Sequence, residues 1–438
     1  MHKIGNFTFD AKRLILYDSD LCKNKISIIN SECPVTVNTT ASEYENLNEN
    51  ERSMDGILIR NIGLCLTNRC NLTCDYCFDS SNDDSIHNLQ LDDVIVFVKD
   101  VIRKRAIKKL FSKKDDPLKI TFTGGGEPTY EWDLFKGTVR FIKNQGIPVE
   151  FHTITNGVLS NEQRAFIAEN FNSVTISYDG LPEIQDRNRK SSNGRGTSEV
   201  VLNSIREFVT IGIKVTIRTT VWERDFSRLI DMCEHIFSII HDDSKFKWSV
   251  QPIIFEGRAL EHLKSFEHKN YNEFLSHYIK LVDYILLNKS VDALTNVEFS
   301  PFTNNICNHF CGAYKCHTPW LLPDKTIINC MDAKDDKVCI GIITDGRVEY
   351  FKKYRDGILK IAKEKYNECV DCIAYPFCKG GCPLWHTRMG DKRPPECEAQ
   401  VNYWNYLLDA LLNNKYSFGW KLEPKSVPGL QEKGRNFS

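Results

Sequence analysis

The chain has 438 residues, with 57 Lys and Arg against 58 Asp and Glu, and its formal net charge of −1 argues against a general binder of nucleic acid or another polyanion. It carries 17 cysteines, an odd number that fits a disulfide framework poorly, and no apolar run approaches the length of a membrane span. The start, MHKIGNFTFD, lacks the basic-then-apolar pattern of a signal peptide, so the expected compartment is the cytoplasm, where clustered cysteines point to metal.

Residues 1–55 read as a small separate unit. NFTF, RLILY and KISII have the composition of short strands, and NTTASEYENLNENERSMDG that of a polar, acidic linker. From 56 to 255, strand and helix patterns alternate. ILIRNIGLCL is a strand running into a cysteine loop, and LDDVIVFVKDVIRKRAIKKLF has the apolar spacing of a helix. LKITFTGGGEP is a strand ending in glycines, WDLFKGTVRFIKNQG a helix, and VEFHTITNG a strand. SNEQRAFIAEN opens on a capping box, Ser160 to Gln163. NSVTISYDG, IKVTIRTTVW and KWSVQPIIF are strands separated by the helices TSEVVLNSIREFVTIG and DFSRLIDMCEHIFSII. This run predicts an α/β fold with a parallel sheet and right-handed crossovers, whose ligands sit at the carboxyl ends of the strands. The cysteine loop and the GGGEP, TNG and SYDG turns all fall at that edge. Residues 256–304 read as a helical bridge. Residues 305–400 form a cysteine-rich region with little periodicity, expected to take its shape from metal. VNYWNYLLDALLNN, within 401–438, is a closing helix followed by a tail.

The cysteines fall in two groups. Cys70, Cys74 and Cys77 lie in one loop, ten lie between Cys307 and Cys397, and only Cys22, Cys33, Cys65 and Cys233 stand outside. A tetrahedral zinc site wants a fourth ligand and usually paired Cys-x2-Cys, whereas an iron–sulfur cube held at three irons keeps one iron open to an outside ligand. Cys70-x3-Cys74-x2-Cys77, with Tyr76 before the last cysteine, resembles the radical S-adenosylmethionine (radical SAM) family. Gly125-Gly126-Glu127-Pro128, after the strand KITFT, is similar to that family's turn for the methionine amino group. Thr155-Asn156-Gly157, Ser177, Asp179 and Arg189 match places where the family contacts the rest of SAM. The resemblance covers about 57–255 and implies a partial (β/α)6 barrel, a 4Fe–4S cluster and bound SAM. Cys65, in an apolar strand, reads as a core residue.

The second group runs Cys311-x4-Cys316-x13-Cys330, then Cys369-x2-Cys372-x5-Cys378-x3-Cys382, then Cys397. Eight cysteines suffice for two four-thiolate clusters. The pattern resembles the SPASM extension of radical SAM enzymes. That resemblance implies one auxiliary 4Fe–4S cluster on Cys311, Cys316, Cys330 and Cys382, and a second on Cys369, Cys372, Cys378 and Cys397, making three clusters in all. Lys325 stands where the family often has glycine, and Cys307 competes with Cys311 or Cys316 as a ligand. Cys339 reads as a plain thiol. The alternative is a pair of structural zinc sites.

SPASM proteins mostly modify peptides or proteins, and two auxiliary clusters point to a net oxidation. The resemblance therefore implies a cross-link installed in a ribosomally made precursor peptide, with an electron donor such as flavodoxin or ferredoxin and no nucleic-acid or membrane partner. Residues 1–55 are either a leader-binding unit, docking by strand addition, or a cap on the barrel. A second reading is a sulfatase-maturating enzyme that makes formylglycine. Those enzymes tend to place an aspartate directly after the cysteine matching Cys330, whereas here Met331 intervenes and Asp332, the candidate base, follows. A third reading is a cluster-bearing electron-transfer scaffold without catalysis, against which the intact cysteine loop and glycine turn speak.

Overall fold

The computed structural model describes residues 59–82, 86–109, 116–240, 245–253, 257–262, 269–289, 296–299, 318–331, 339–351 and 396–412, positions 293, 369, 374, 381 and 382, and four short strands before residue 29. Those strands are β1 (His2–Ile4), β2 (Phe7–Phe9), β3 (Ile15–Tyr17) and β4 (Ile26–Ile28). They form two antiparallel pairs, β1 with β2 and β3 with β4.

The alternating region folds as its patterning predicts. β5 (Asn61–Leu64), β6 (Leu118–Phe122), β7 (Val149–Thr155), β8 (Ser173–Ser177), β9 (Lys214–Val221) and β10 (Phe246–Pro252) pair in chain order, all parallel. The crossovers carry α1 (Leu91–Lys109), α2 (Trp132–Lys143), α3 (Asn161–Asn170), α4 (Pro182–Asn188), α5 (Ser198–Ile211) and α6 (Leu229–Ile239). The capping box at α3 is present: Gln163 N–H donates to Ser160 Oγ at 3.2 Å, and Ser160 N–H to Gln163 Oε1 at 2.8 Å. No helix among the described residues is long and apolar enough to cross a membrane.

The sheet runs on past the six expected strands at both edges, to eleven in total. After α7 (Lys269–Asn288), β11 (Val297–Phe299) adds in parallel beside β10. At the other edge β12 (Trp320–Leu321) lies parallel to β5, and β13 (Thr326–Ile328), β14 (Cys339–Thr344) and β15 (Arg347–Tyr350) follow as an antiparallel meander. The cysteine-rich region, which the sequence reading expects metal to shape, thus also contributes four strands to the sheet. Leu321, Ile327, Ile340 and Ile343 are buried in the same core as the parallel strands. The junction depends on Gly63: a Cβ there would fall 1.6 Å from Trp320 Cε3, so only glycine lets the indole lie across β5. The closing helix is α8 (Glu396–Leu412).

The two faces of the parallel sheet differ in chemistry because successive residues point to opposite sides. Ile62, Ile120, Phe122, Ile176, Ile217 and Val250 are buried on the face that the helices cover. There Phe122 meets Phe135 at 4.8 Å and Phe171 at 5.6 Å between ring centroids, and each such buried ring contributes about 1.5–3 kcal/mol. On the other face the strand registers align Thr121, His152, Thr175, Ser177, Arg218 and Gln251. His152 hydrogen-bonds to Ser173 Oγ at 2.8 Å and Thr175 Oγ1 at 3.2 Å, and Arg218 donates to Gln251 Oε1 at 3.0 Å. That face is polar.

Candidate active site

The chain leaves β5 at Leu64 and enters the cysteine loop at the carboxyl edge of the sheet. Backbone bonds tie this loop to the stretch after α4: Thr73 N–H to Lys190 O at 2.8 Å, Asp75 N–H to Asn188 O at 3.0 Å and Ser192 N–H to Asn71 O at 3.0 Å. The three thiols lie close enough to act on one another electrostatically. Burial pushes the Cys70 thiol up to about 12 and the Cys74 thiol up to about 11. N–H groups already aim at the sulfurs. Leu72 N–H lies 3.4 Å from Cys70 Sγ, Asn156 Nδ2 3.7 Å from the same sulfur, and Ser81 N–H 3.3 Å from Cys77 Sγ. Cys70, Cys74 and Cys77 are the thiols that would hold a 4Fe–4S cluster, and the N–H donors beside Cys70 and Cys77 would support its sulfurs.

The glycine turn lies against this loop. Gly124 and Gly125 have φ of 75° and 62°. A Cβ on Gly126 would fall 1.9 Å from Arg69 O, and Glu127 N–H donates to that same carbonyl at 2.8 Å. Gly126→Ala is therefore expected to push the turn off the loop and, in the reading that puts SAM at this turn, to weaken SAM binding about tenfold, measured by equilibrium dialysis; unchanged binding would refute that reading of the turn. Glu127 is buried, and burial raises its carboxyl although every partner is a donor. It accepts from Thr129 Oγ1 and Thr155 Oγ1, each at 2.8 Å, and from Asn156 N–H at 2.8 Å. Asn156 then donates to Asn71 Oδ1 at 2.6 Å. Gly125, Gly126, Glu127, Thr155 and Asn156 thus form one network with Cys70, and Glu127 acts by locking two turns together.

A second network surrounds Cys74. Asp179 is fully buried and accepts from Tyr76 Oη at 2.7 Å, Arg189 Nε at 3.0 Å and Asn188 Nδ2 at 3.1 Å. The Arg189 guanidinium lies 5.1 Å over the Tyr76 ring. Tyr76, Asp179 and Arg189, which the sequence reading expects at SAM, are bound to one another beside the cysteine loop. Ser177 stands at the end of β8 in register with Arg218, on the polar face.

Of the distal cysteines, Cys330 and Cys382 pack against the same residue, Ile328. Cys369 and Cys397 are part-buried. Cys311, Cys316, Cys372 and Cys378, like Cys307 and Asp332, lie outside the described residues. Met331 reaches the glycine turn: its Sδ is 3.5 Å from Cys65 Sγ, and a Cβ on Gly124 would meet its Cε at 2.3 Å. Sequence reasoning missed this contact, and also missed Gly257 and Arg258, which follow β10 and grip the cysteine loop. Arg258 donates to Cys74 O at 2.8 Å and Ser81 O at 2.9 Å. A Gly-Arg pair just past the sixth strand was the only signal available.

The pattern of the Radical SAM superfamily matches residues 64–234, the stretch that carries both networks. Residues 64–234 are a radical SAM domain. The family implies a 4Fe–4S cluster and SAM. The chain is 25% identical over 335 residues to a cysteine-type anaerobic sulfatase-maturating enzyme of Clostridium novyi, covering 72% of this chain and 85% of that one. It is 34% identical over 172 residues to a GTP 3′,8-cyclase of Clostridium perfringens, where it spans 47% of the relative. Two solved structures share the fold. Native anSMEcpe with bound AdoMet and a Cp18Cys peptide superposes with a TM-score of 0.59 at 20% identity, over 81% of this chain and 99% of that one. Streptococcus suis SuiB bound to its precursor peptide SuiA superposes with a TM-score of 0.53 at 14% identity, over 78% and 75%.

Proposed function

We propose that the chain is a peptide-modifying radical SAM enzyme. It takes a hydrogen atom from a ribosomally made peptide and installs a carbon–carbon, carbon–oxygen or thioether cross-link. In this reading Cys70, Cys74 and Cys77 hold the catalytic cluster, and the cofactors, once bound, supply a radical able to break an unactivated C–H bond. Gly125, Gly126, Glu127, Thr155, Asn156 and Ser177 bind SAM, with Tyr76, Asp179 and Arg189 fixing the loop behind it. Cys311, Cys316, Cys330 and Cys382 carry one auxiliary cluster, and Cys369, Cys372, Cys378 and Cys397 the other.

The observation that carries this reading is the seat of Met331 on Gly124 and Cys65. The residue after a proposed cluster ligand, Cys330, touches the turn proposed to hold SAM. In this reading an acceptor for the departing electron would lie beside the reacting centre, as a net oxidation requires, and the Met331 contact supports it. The polar sheet face of His152, Ser177, Arg218 and Gln251 suits an extended peptide, whose backbone needs hydrogen-bond partners. The precursor peptide is expected to dock its leader on residues 1–55, and an electron donor such as flavodoxin or ferredoxin supplies the first electron. Asp332, one residue past Met331, is the proposed base.

Similarity to the sulfatase-maturating enzyme over 335 residues favours a second reading, formylglycine formation. Met331 weighs against it, since a thioether stands where that reading expects a carboxylate. The deciding experiment is anaerobic reconstitution followed by iron and sulfide analysis, a deoxyadenosine assay, and mass spectrometry of a co-expressed leader peptide. Expected are about twelve irons per chain, reductant-dependent deoxyadenosine, and a peptide lighter by two hydrogen atoms. Four irons with zinc would remove the auxiliary clusters from the proposal. Conversion of a sulfatase peptide in place of the leader peptide would establish the second reading.

A further inference from the structure

We propose that Arg258 is a positioning residue that clasps the cysteine loop shut and makes the cluster held there easier to reduce; this rests on the radical SAM reading above. The segment Gly257–His262 follows β10, whereas the cysteine loop follows β5, and four strands separate the two in the sheet. Their contact is therefore made only because the sheet curls, and Arg258 spans the gap at the ligand edge. Gly257, at φ +58°, lets the backbone approach: a Cβ there would lie 2.4 Å from Cys77 O and 2.3 Å from Phe78 O. Arg258 N–H donates to Cys77 O at 3.0 Å, and its guanidinium bridges Cys74 O and Ser81 O. Ala259 anchors the segment in a small apolar cluster with Tyr76 and Ile253.

A planar guanidinium reaches two carbonyls at once, which an ammonium does less well. Its charge is held against the loop by these bonds, at the carbonyl of the ligand cysteine Cys74. A fixed positive charge beside the loop favours the reduced, more negative form of a bound cluster. Ser81, one of the two residues bridged, also contacts Cys77 Sγ and the carbonyl of Gly125. The clasp thus bears on two ligand cysteines and on the glycine turn.

The test compares Arg258→Gln and Arg258→Lys with the wild-type holoenzyme. The loop cluster is identified by the change in its EPR signal on adding SAM, and both its midpoint potential and its iron loss to a chelator are followed. Arg258→Gln is expected to lower the midpoint by about 59 mV, a tenfold change for one electron, and to speed iron loss about tenfold. Arg258→Lys is expected to keep the midpoint but still lose iron faster, because one ammonium does not replace the bridge. A wild-type midpoint in Arg258→Gln, or a midpoint in Arg258→Lys as low as in Arg258→Gln, overturns the charge effect. If Arg258→Gln assembles no loop cluster, Arg258→Lys decides: wild-type iron retention there sinks the clasp. A wild-type protein without a SAM-responsive cluster would instead sink the parent reading.

Discussion

Cys70→Ala is expected to cut deoxyadenosine formation to background, while lowering iron by only about four per chain. Cys70 is tied to the glycine-turn network through the approach of Asn156 Nδ2. Alanine removes one of three protein ligands, and there is no fourth thiol in the loop to substitute. Even outer partners of a metal ligand are worth about 10–100-fold, so a missing ligand should exceed that. The loop itself should persist, since the backbone bonds of Thr73, Asp75 and Ser192 do not involve the Cys70 side chain. Iron remaining on the distal cysteines would then separate loss of this site from general misfolding. Wild-type deoxyadenosine from the Cys70→Ala protein would refute the assignment of the loop.

Asp179→Ala should have the second large effect, and it should appear as instability. Asp179 is fully buried, and its carboxylate is shared by Tyr76, Asn188 and Arg189. Removing it leaves the buried Arg189 guanidinium without its ion-pair partner, which costs about 3–5 kcal/mol. The apparent Tm should fall by roughly 2–4 °C for each kcal/mol in a domain of this size. The loop should loosen as well, because Tyr76 sits between Cys74 and Cys77 and loses its anchor. Asp179→Asn keeps the shape and the Asn188 contact, so it should lie between the two. An unchanged Tm in Asp179→Ala would show that the network stabilises little. Those residues would then return to the direct SAM-contact role that their motif suggests.

What the sequence by itself determined is local chemistry and its order along the chain. The spacing of Cys70, Cys74 and Cys77, the Gly125–Glu127 turn and the alternation of strand and helix all act through neighbours in sequence. They are legible because loop ligands and strand periodicity are short-range properties. The same holds for the capping box at Ser160 and Gln163. What only the tertiary structure decided are contacts between segments far apart. Arg258 meets Cys74 across 184 positions, and Met331 meets Cys65 across 266. No periodicity encodes such pairs: the first exists because a twisted sheet curls and brings its first and sixth strands to one edge, the second because β12 and β13 add beside β5. Likewise β12 joins β5 because Gly63 leaves room for Trp320. The mutual contacts of Tyr76, Asp179 and Arg189 were hidden for the same reason: a motif marks which residues stand near one another at the site, but only the fold shows that Asp179 is buried and shared by Tyr76 and Arg189.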